Sequence, residues 1–170
     1  MILEPTELEP VTESLAELAI PAGAALALES VAAASARRVG GRLITISLWR
    51  PSTRDLVRVY SNMPRLYRIG GISSALGADW TRRCVARLES FLAEDEDALD
   101  SDAFEHQDML GALHLEAAIN AVVARDGVFL GCLNLLGSKG SYTQRSVNEA
   151  ENLAAGLVGA LTELEGCISR

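Results

Sequence analysis

An α+β fold, with antiparallel strands at its centre and helices at both ends, is predicted by three observations. Residues 114–137, HLEAAINAVVARDGVFLGCLNLLG, read as two long strands joined at Asp126-Gly127. RLITISLWR and LVRVYS, separated by the polar stretch PSTRD, read as a second and shorter hairpin. The stretches 22–39 and 144–169 have helical composition and spacing, with no Pro inside either. The chain has 170 residues and 49% hydrophobic content, which suits one domain with a full core. We assign residues 22–170 to that domain and residues 1–21 to an N-terminal arm with a short helix.

The longer hairpin organises the rest. Asp-Gly supplies the positive φ values that a two-residue turn requires. With Arg125 opposite Val128, one face carries Val123, Leu130, Ala121, Cys132, Ile119, Asn134, Ala117 and Leu136. The other carries Ala124, Phe129, Val122, Gly131, Asn120, Leu133, Ala118 and Leu135, with Glu116 and His114 towards the far end. Both faces are largely apolar, so the hairpin is expected to be central and covered on both sides. A one-residue bulge would move the polar set His114, Glu116 and Asn120 to the opposite face.

The other elements follow in chain order. Residues 1–12 are acidic and Pro-punctuated, and residues 14–20 can form a short amphipathic helix through Leu15 and Leu18. Pro21 either kinks that helix or starts the next at its first turn. The Ala-rich helix that follows ends on Arg37 and Arg38 before Gly40-Gly41, cations and then Gly being a helix stop signal. In the next strand Ile44, Ile46 and Leu48 alternate with Thr45, Ser47 and Trp49. Residues 62–77 lack a clear period and hold Pro64, Gly70, Gly71 and Gly77, a loop length more often functional than idle. A short helix is expected over 78–87 and a brief strand around Phe91. Beyond them a helix capped by Ser101 or Asp102 would gather Phe104, Met109, Leu110 and Leu113. Ser141 or Thr143 can cap the last helix, where Ala150, Ala154, Leu157, Leu161, Leu164 and Ile168 recur at spacings of four and three. That seam predicts a docked helix pair and, with the Ala-rich first helix, a homodimer.

This order of elements, together with AINAVVARDGVFLGCLNLLG, resembles a GAF domain over about residues 31–168. YSNMPRLYRIGG before Trp80, and NLL before Tyr142, look like a subgroup of stand-alone bacterial GAF proteins. The resemblance implies a GAF/PAS-like central antiparallel sheet. Terminal helices would lie on one face, with loops and short helices over a ligand pocket on the other. The residues agree, because a sheet apolar on both faces needs two covers and the chain offers two. The pocket candidates are Tyr60, Arg65, Tyr67, Trp80, Cys84, Phe91, Phe104, His114, Glu116 and Asn120. The aromatic ones serve equally as a second core, and Arg65 or Arg68 could contact an anion.

Several chemistries find little support. A net charge of −8, with Lys139 the single lysine and the Arg residues scattered, argues against nucleic acid. The acidic residues Glu94, Asp95, Glu96, Asp97, Asp100 and Asp102 include no Gly and lack the ligand spacing of a calcium loop, so they read as a solvated turn. His106 and His114, the only histidines, have no paired metal-ligand spacing and read as surface or pocket-rim imidazoles. Cys84, Cys132 and Cys167 are far apart and read as reduced thiols. The N-terminus lacks a basic stretch leading into an apolar run, and no uncharged run reaches membrane-spanning length. A soluble, cytoplasmic protein without a membrane partner is expected.

No cofactor and no metal are expected. The leading expectation is a non-enzymatic sensory or regulatory domain that binds a small molecule and signals through a separate protein, since no output domain accompanies this stretch. A ligand-free interaction or dimerisation module is the alternative. A third possibility, also drawn from the GAF resemblance, is thiol-dependent reduction of free methionine sulfoxide. It needs closely placed accessible cysteines. Only Cys84 lies in the pocket-covering block, and that enzyme family's Cys-bearing Gly loop and downstream Cys-Asp segment are missing.

Overall fold

The computed structural model describes residues 18–94 and 114–168. Six strands form one sheet in the order β3-β2-β1-β6-β5-β4. They are β1 (Leu43–Arg50), β2 (Asp55–Ser61), β3 (Ile72–Ser73), β4 (Phe91–Ala93), β5 (Ala117–Arg125) and β6 (Val128–Gly137). All the pairings are antiparallel, and β1 and β6 occupy the centre. Asp126 and Gly127 both have positive φ, 52° and 76°, as the hairpin turn demands.

The first face of the sheet carries the terminal helices. Helix α1 (Ala22–Arg38) begins after Pro21, which supplies a fixed φ and needs no N–H partner there. The C-terminal helical stretch is α3 (Gln144–Ala154), a 3-10 turn (Ala155–Leu157) and α4 (Val158–Ile168). Thr143 and Ser146 cap α3 reciprocally. Leu28 and Ala32 of α1 pack with Ile44, Ile46 and Leu48 of β1, Ile119 and Ala121 of β5, and Leu133 and Leu135 of β6. The stripe Ala150, Ala154, Leu157, Leu161 and Leu164 lies in that same core, each residue fully buried, and Ile168 packs against it. Its spacing reports docking within the chain, against α1 as the predicted helix pair and onto the sheet as well, so these residues are not available as a surface for a second copy.

Two expectations on the hairpin change. Ala124 pairs with Phe129, but Val123 pairs with Gly131, so Leu130 stands as an extra residue in β6. This bulge moves Cys132, Asn134 and Leu136 onto the face of Asn120, and carries Leu133 and Leu135 to the helix side. The polar residue of β5 itself, Asn120, stays on the side away from the terminal helices.

The second face is covered by two short blocks. Helix α2 (Ala78–Trp80) runs into a π-helical segment, Thr81–Ala86, where a plain helix over 78–87 is predicted. With it pack Trp49, Phe129 and Cys132. Residues 62–71 supply Tyr67, Met63 and Leu66 to a separate cluster with Leu43, Ala93, Leu115 and Leu136. Residues 18–20 are not helical, while 14–17, the acidic run from Asp95 and the helix expected after Ser101 lie outside the described residues. No helix among the described residues is long and apolar enough to cross a membrane.

Candidate functional site

Between the two clusters on the second face runs a chain of buried polar groups. Phe91 of β4, Asn120 of β5, Asn134 of β6 and Thr45 of β1 are successive cross-strand neighbours. The Trp80 indole N–H donates to Asn120 Oδ1 at 3.0 Å. Asn120 Nδ2 donates to Asn134 Oδ1 at 2.8 Å. Asn134 Nδ2 donates to Thr45 Oγ1 at 3.1 Å and to Ser47 Oγ at 3.4 Å. None of these five side chains is more than 9% exposed. Burying amides in an apolar layer is tolerable only when their donors and acceptors are matched, and here each amide joins two strands or a strand and a helix. The bulge makes the ladder possible, because it sets Asn134 opposite Asn120.

The layer above is aromatic. Phe129 meets Trp49 and Trp80 edge to face, at centroid distances of 5.8 and 6.2 Å. Cys84 and Cys132 belong to the same cluster and are fully buried. Burial pushes the Cys84 thiol up to about 12, with Arg83 pulling it back and Glu89 adding to the rise. The Cys132 thiol is raised further, again by burial first and then by Cys84. Both are therefore protonated at neutral pH, and a protonated, enclosed thiol is a poor nucleophile. Cys167 is exposed.

The structure brings Trp80, Cys84, Phe91 and Asn120 together. Tyr67 is on the same face in the neighbouring cluster, its ring 4.8 Å beneath the Arg58 guanidinium. Glu116 lies further along, accepting the Lys139 N–H at 3.3 Å. His114 is exposed at the entry to β5, with φ 56°, and Arg65 is exposed. Tyr60 packs against the helix-side core, where burial and then Glu29 raise its hydroxyl. Phe104 lies outside the described residues. Sequence reasoning passed over Asn134, Thr45, Ser47 and Trp49. The alternation of Thr45, Ser47 and Trp49 in β1 was a usable signal, whereas Asn134 was hidden by the bulge.

Beside the aromatic layer lies an open groove of about 730 Å³, between the β1–β2 turn and the segment 74–86. Trp49 joins the two, since it lines the groove and packs on Phe129. Among the described residues, no three of His, Cys, Asp and Glu gather as a metal site would require.

This sheet, with helices from both termini on one face and short elements on the other, matches solved structures of known kind. A GAF domain/HD domain protein from Geobacter sulfurreducens superposes with a TM-score of 0.67 at 9% identity, covering 84% of this chain and 94% of that one. The fold is that of a GAF domain. The GAF domain of a phosphoenolpyruvate-protein phosphotransferase from Coxiella burnetii gives 0.66 at 14% identity, covering 86% and 87%. A domain of a two-component sensor histidine kinase protein from Sinorhizobium meliloti gives 0.58 at 13% identity, covering 84% and 93%. No family model and no curated protein sequence matches the chain. In this GAF-like fold Trp49, Trp80 and Phe129 take up much of the layer where the resemblance implied a ligand pocket, and the groove opens alongside them.

Proposed function

We propose that this GAF domain is a non-catalytic regulatory module that binds a small molecule on the second face of its sheet and passes its state to a partner protein through the terminal helices. The observation that carries the reading is the ladder from Trp80 through Asn120 and Asn134 to Thr45 and Ser47. Trp80 is flanked by groove residues Ala78 and Thr81, and its indole is tied to the middle of the sheet. A ligand that shifts this segment therefore acts on β5 and β6, whose opposite face supports α3 and α4. The role of the Sinorhizobium neighbour, a domain of a sensor kinase protein, is consistent with such a task. The test is thermal unfolding in the presence of pooled metabolites. A ligand that binds only the native state raises the midpoint, by about 2.7 kcal/mol of stability at a hundred times its Kd. Pools that leave the midpoint unchanged at millimolar concentration overturn the reading.

A second reading, an interaction module without a ligand, is favoured by the aromatic filling of the second face. Self-association through the terminal helices belongs to both readings. It would use their outward side, where Leu26 is 67% exposed, and not the buried stripe. Sedimentation that shows only monomer at high micromolar concentration removes that part.

A further inference from the structure

The groove beside Trp49 contains a residue that its own backbone does not favour. The loop of residues 51–54 ends with Arg54 at φ 55°, in the left-handed region, after its N–H has closed back on the Arg50 carbonyl at 2.8 Å. Glycine or asparagine suits such a turn position, because a larger L-residue crowds its own backbone there. This chain places Arg there instead, and the guanidinium stands 5.8 Å from the Trp49 ring centroid, at the groove. Its neighbours differ from it. Arg50 is held by both oxygens of Asp55, each at 2.7 Å, and Arg82 is shared with Asp79. Among the described residues Arg54 has no carboxylate partner. In a chain of net charge −8, a cation left in that condition on a concave surface is complementary to an anion.

The opposite wall is the π-helical segment. A π turn carries an extra residue, a departure from regular helix that often marks functional sites. Here it lets Thr81, Arg82 and Val85 line the groove while Cys84 remains in the core. Val85, Leu76 and Trp49 add apolar side chains to a lining that also holds Arg54 and Arg82. The Asp79 carboxylate, paired with the groove residue Arg82, disfavours a second negative charge.

We infer that this groove is a binding site for a small organic monoanion: a flat apolar body against Trp49, Leu76 and Val85, and one carboxylate met by Arg54. The inference deepens the regulatory reading and rests on it only for the claim that occupancy is a signal. The test uses 2-naphthoate and its neutral counterpart 2-naphthamide, followed by calorimetry and by the indole resonance of Trp49. The acid is expected to shift that resonance and to bind roughly tenfold more tightly than the amide, the scale of one charge-assisted hydrogen bond. In Arg54→Gly, whose substituted residue suits the left-handed backbone, the melting curve is retained and the acid falls to the affinity of the amide. Equal affinities for acid and amide, or unchanged acid binding in Arg54→Gly, overturn the anion assignment while leaving a small-molecule site in place. No Trp49 shift with either probe at millimolar concentration overturns the site itself. The metabolite-pool melts then decide the regulatory reading independently.

Discussion

Asn134 is the residue on which the second face depends. Its amide accepts from Asn120 and donates to the hydroxyls of Thr45 and Ser47, so it ties β5, β6 and β1 together inside an apolar layer. Asn134→Ala would leave the Asn120 Nδ2 and two hydroxyls without that partner. We expect a loss of about 2–4 kcal/mol in urea unfolding, with a cost well below additive when Asn120→Ala is combined with it. The cysteines give a second expectation at this scale. A thiol reagent should modify Cys167 alone in the native protein, and reach Cys84 and Cys132 only in denaturant. Rapid native labelling of Cys84 would reopen the thiol chemistry that its burial disfavours.

At the scale of elements, the contacts of two glycines separate close packing from open space. A Cβ on Gly131 would lie 2.0 Å from the Ser47 carbonyl oxygen and 3.1 Å from Leu161 Cδ1. Gly131→Ala must therefore push β6 away from β1, and we expect it to cost at least about 3 kcal/mol or to prevent folding. Gly159, in α4, has nothing within 4 Å of its added Cβ. Gly159→Ala should stabilise by about 0.5–1 kcal/mol through helix propensity, measured by the same unfolding curves. The Asp126-Gly127 turn was legible because the left-handed backbone it uses selects those residue types. The bulge three residues later was not. It depends on how closely β1 approaches at Gly131, and a strand's own pattern does not contain its neighbour's position.

For the whole molecule, buried thiols and phenols set the alkaline limit. Burial raises Cys84, Tyr67 and Tyr142 each to about 12, against ordinary values of 9.0 for the thiol and 10.0 for the phenols. The folded state keeps these protons while the unfolded chain releases them. Stability is therefore full below about pH 9 and falls as pH rises towards 12, by up to roughly 1.4 kcal/mol per pH unit for each group in its window. Urea midpoints measured from pH 7 to 11 should decline accordingly, and Cys84→Ala should flatten the first part of the decline. A midpoint constant to pH 11 would contradict the burial described for these groups.

The sequence by itself determined the order of elements, the main hairpin and its turn, the alternation of β1 and the need for two covers. Those properties are local, written in periodicity, turn chemistry and capping residues such as Thr143. Only the tertiary structure decided what each apolar surface meets. A spacing of four and three places Leu157, Leu161 and Leu164 on one side of a helix, yet it is equally compatible with a second helix and with the chain's own sheet. Three-dimensional packing set that stripe against both, α1 and the sheet of the same chain. The same holds for Asn134, whose face was set by one extra residue, and for the Trp49–Arg54 groove, whose walls come from segments about twenty residues apart and exist as a surface only after folding.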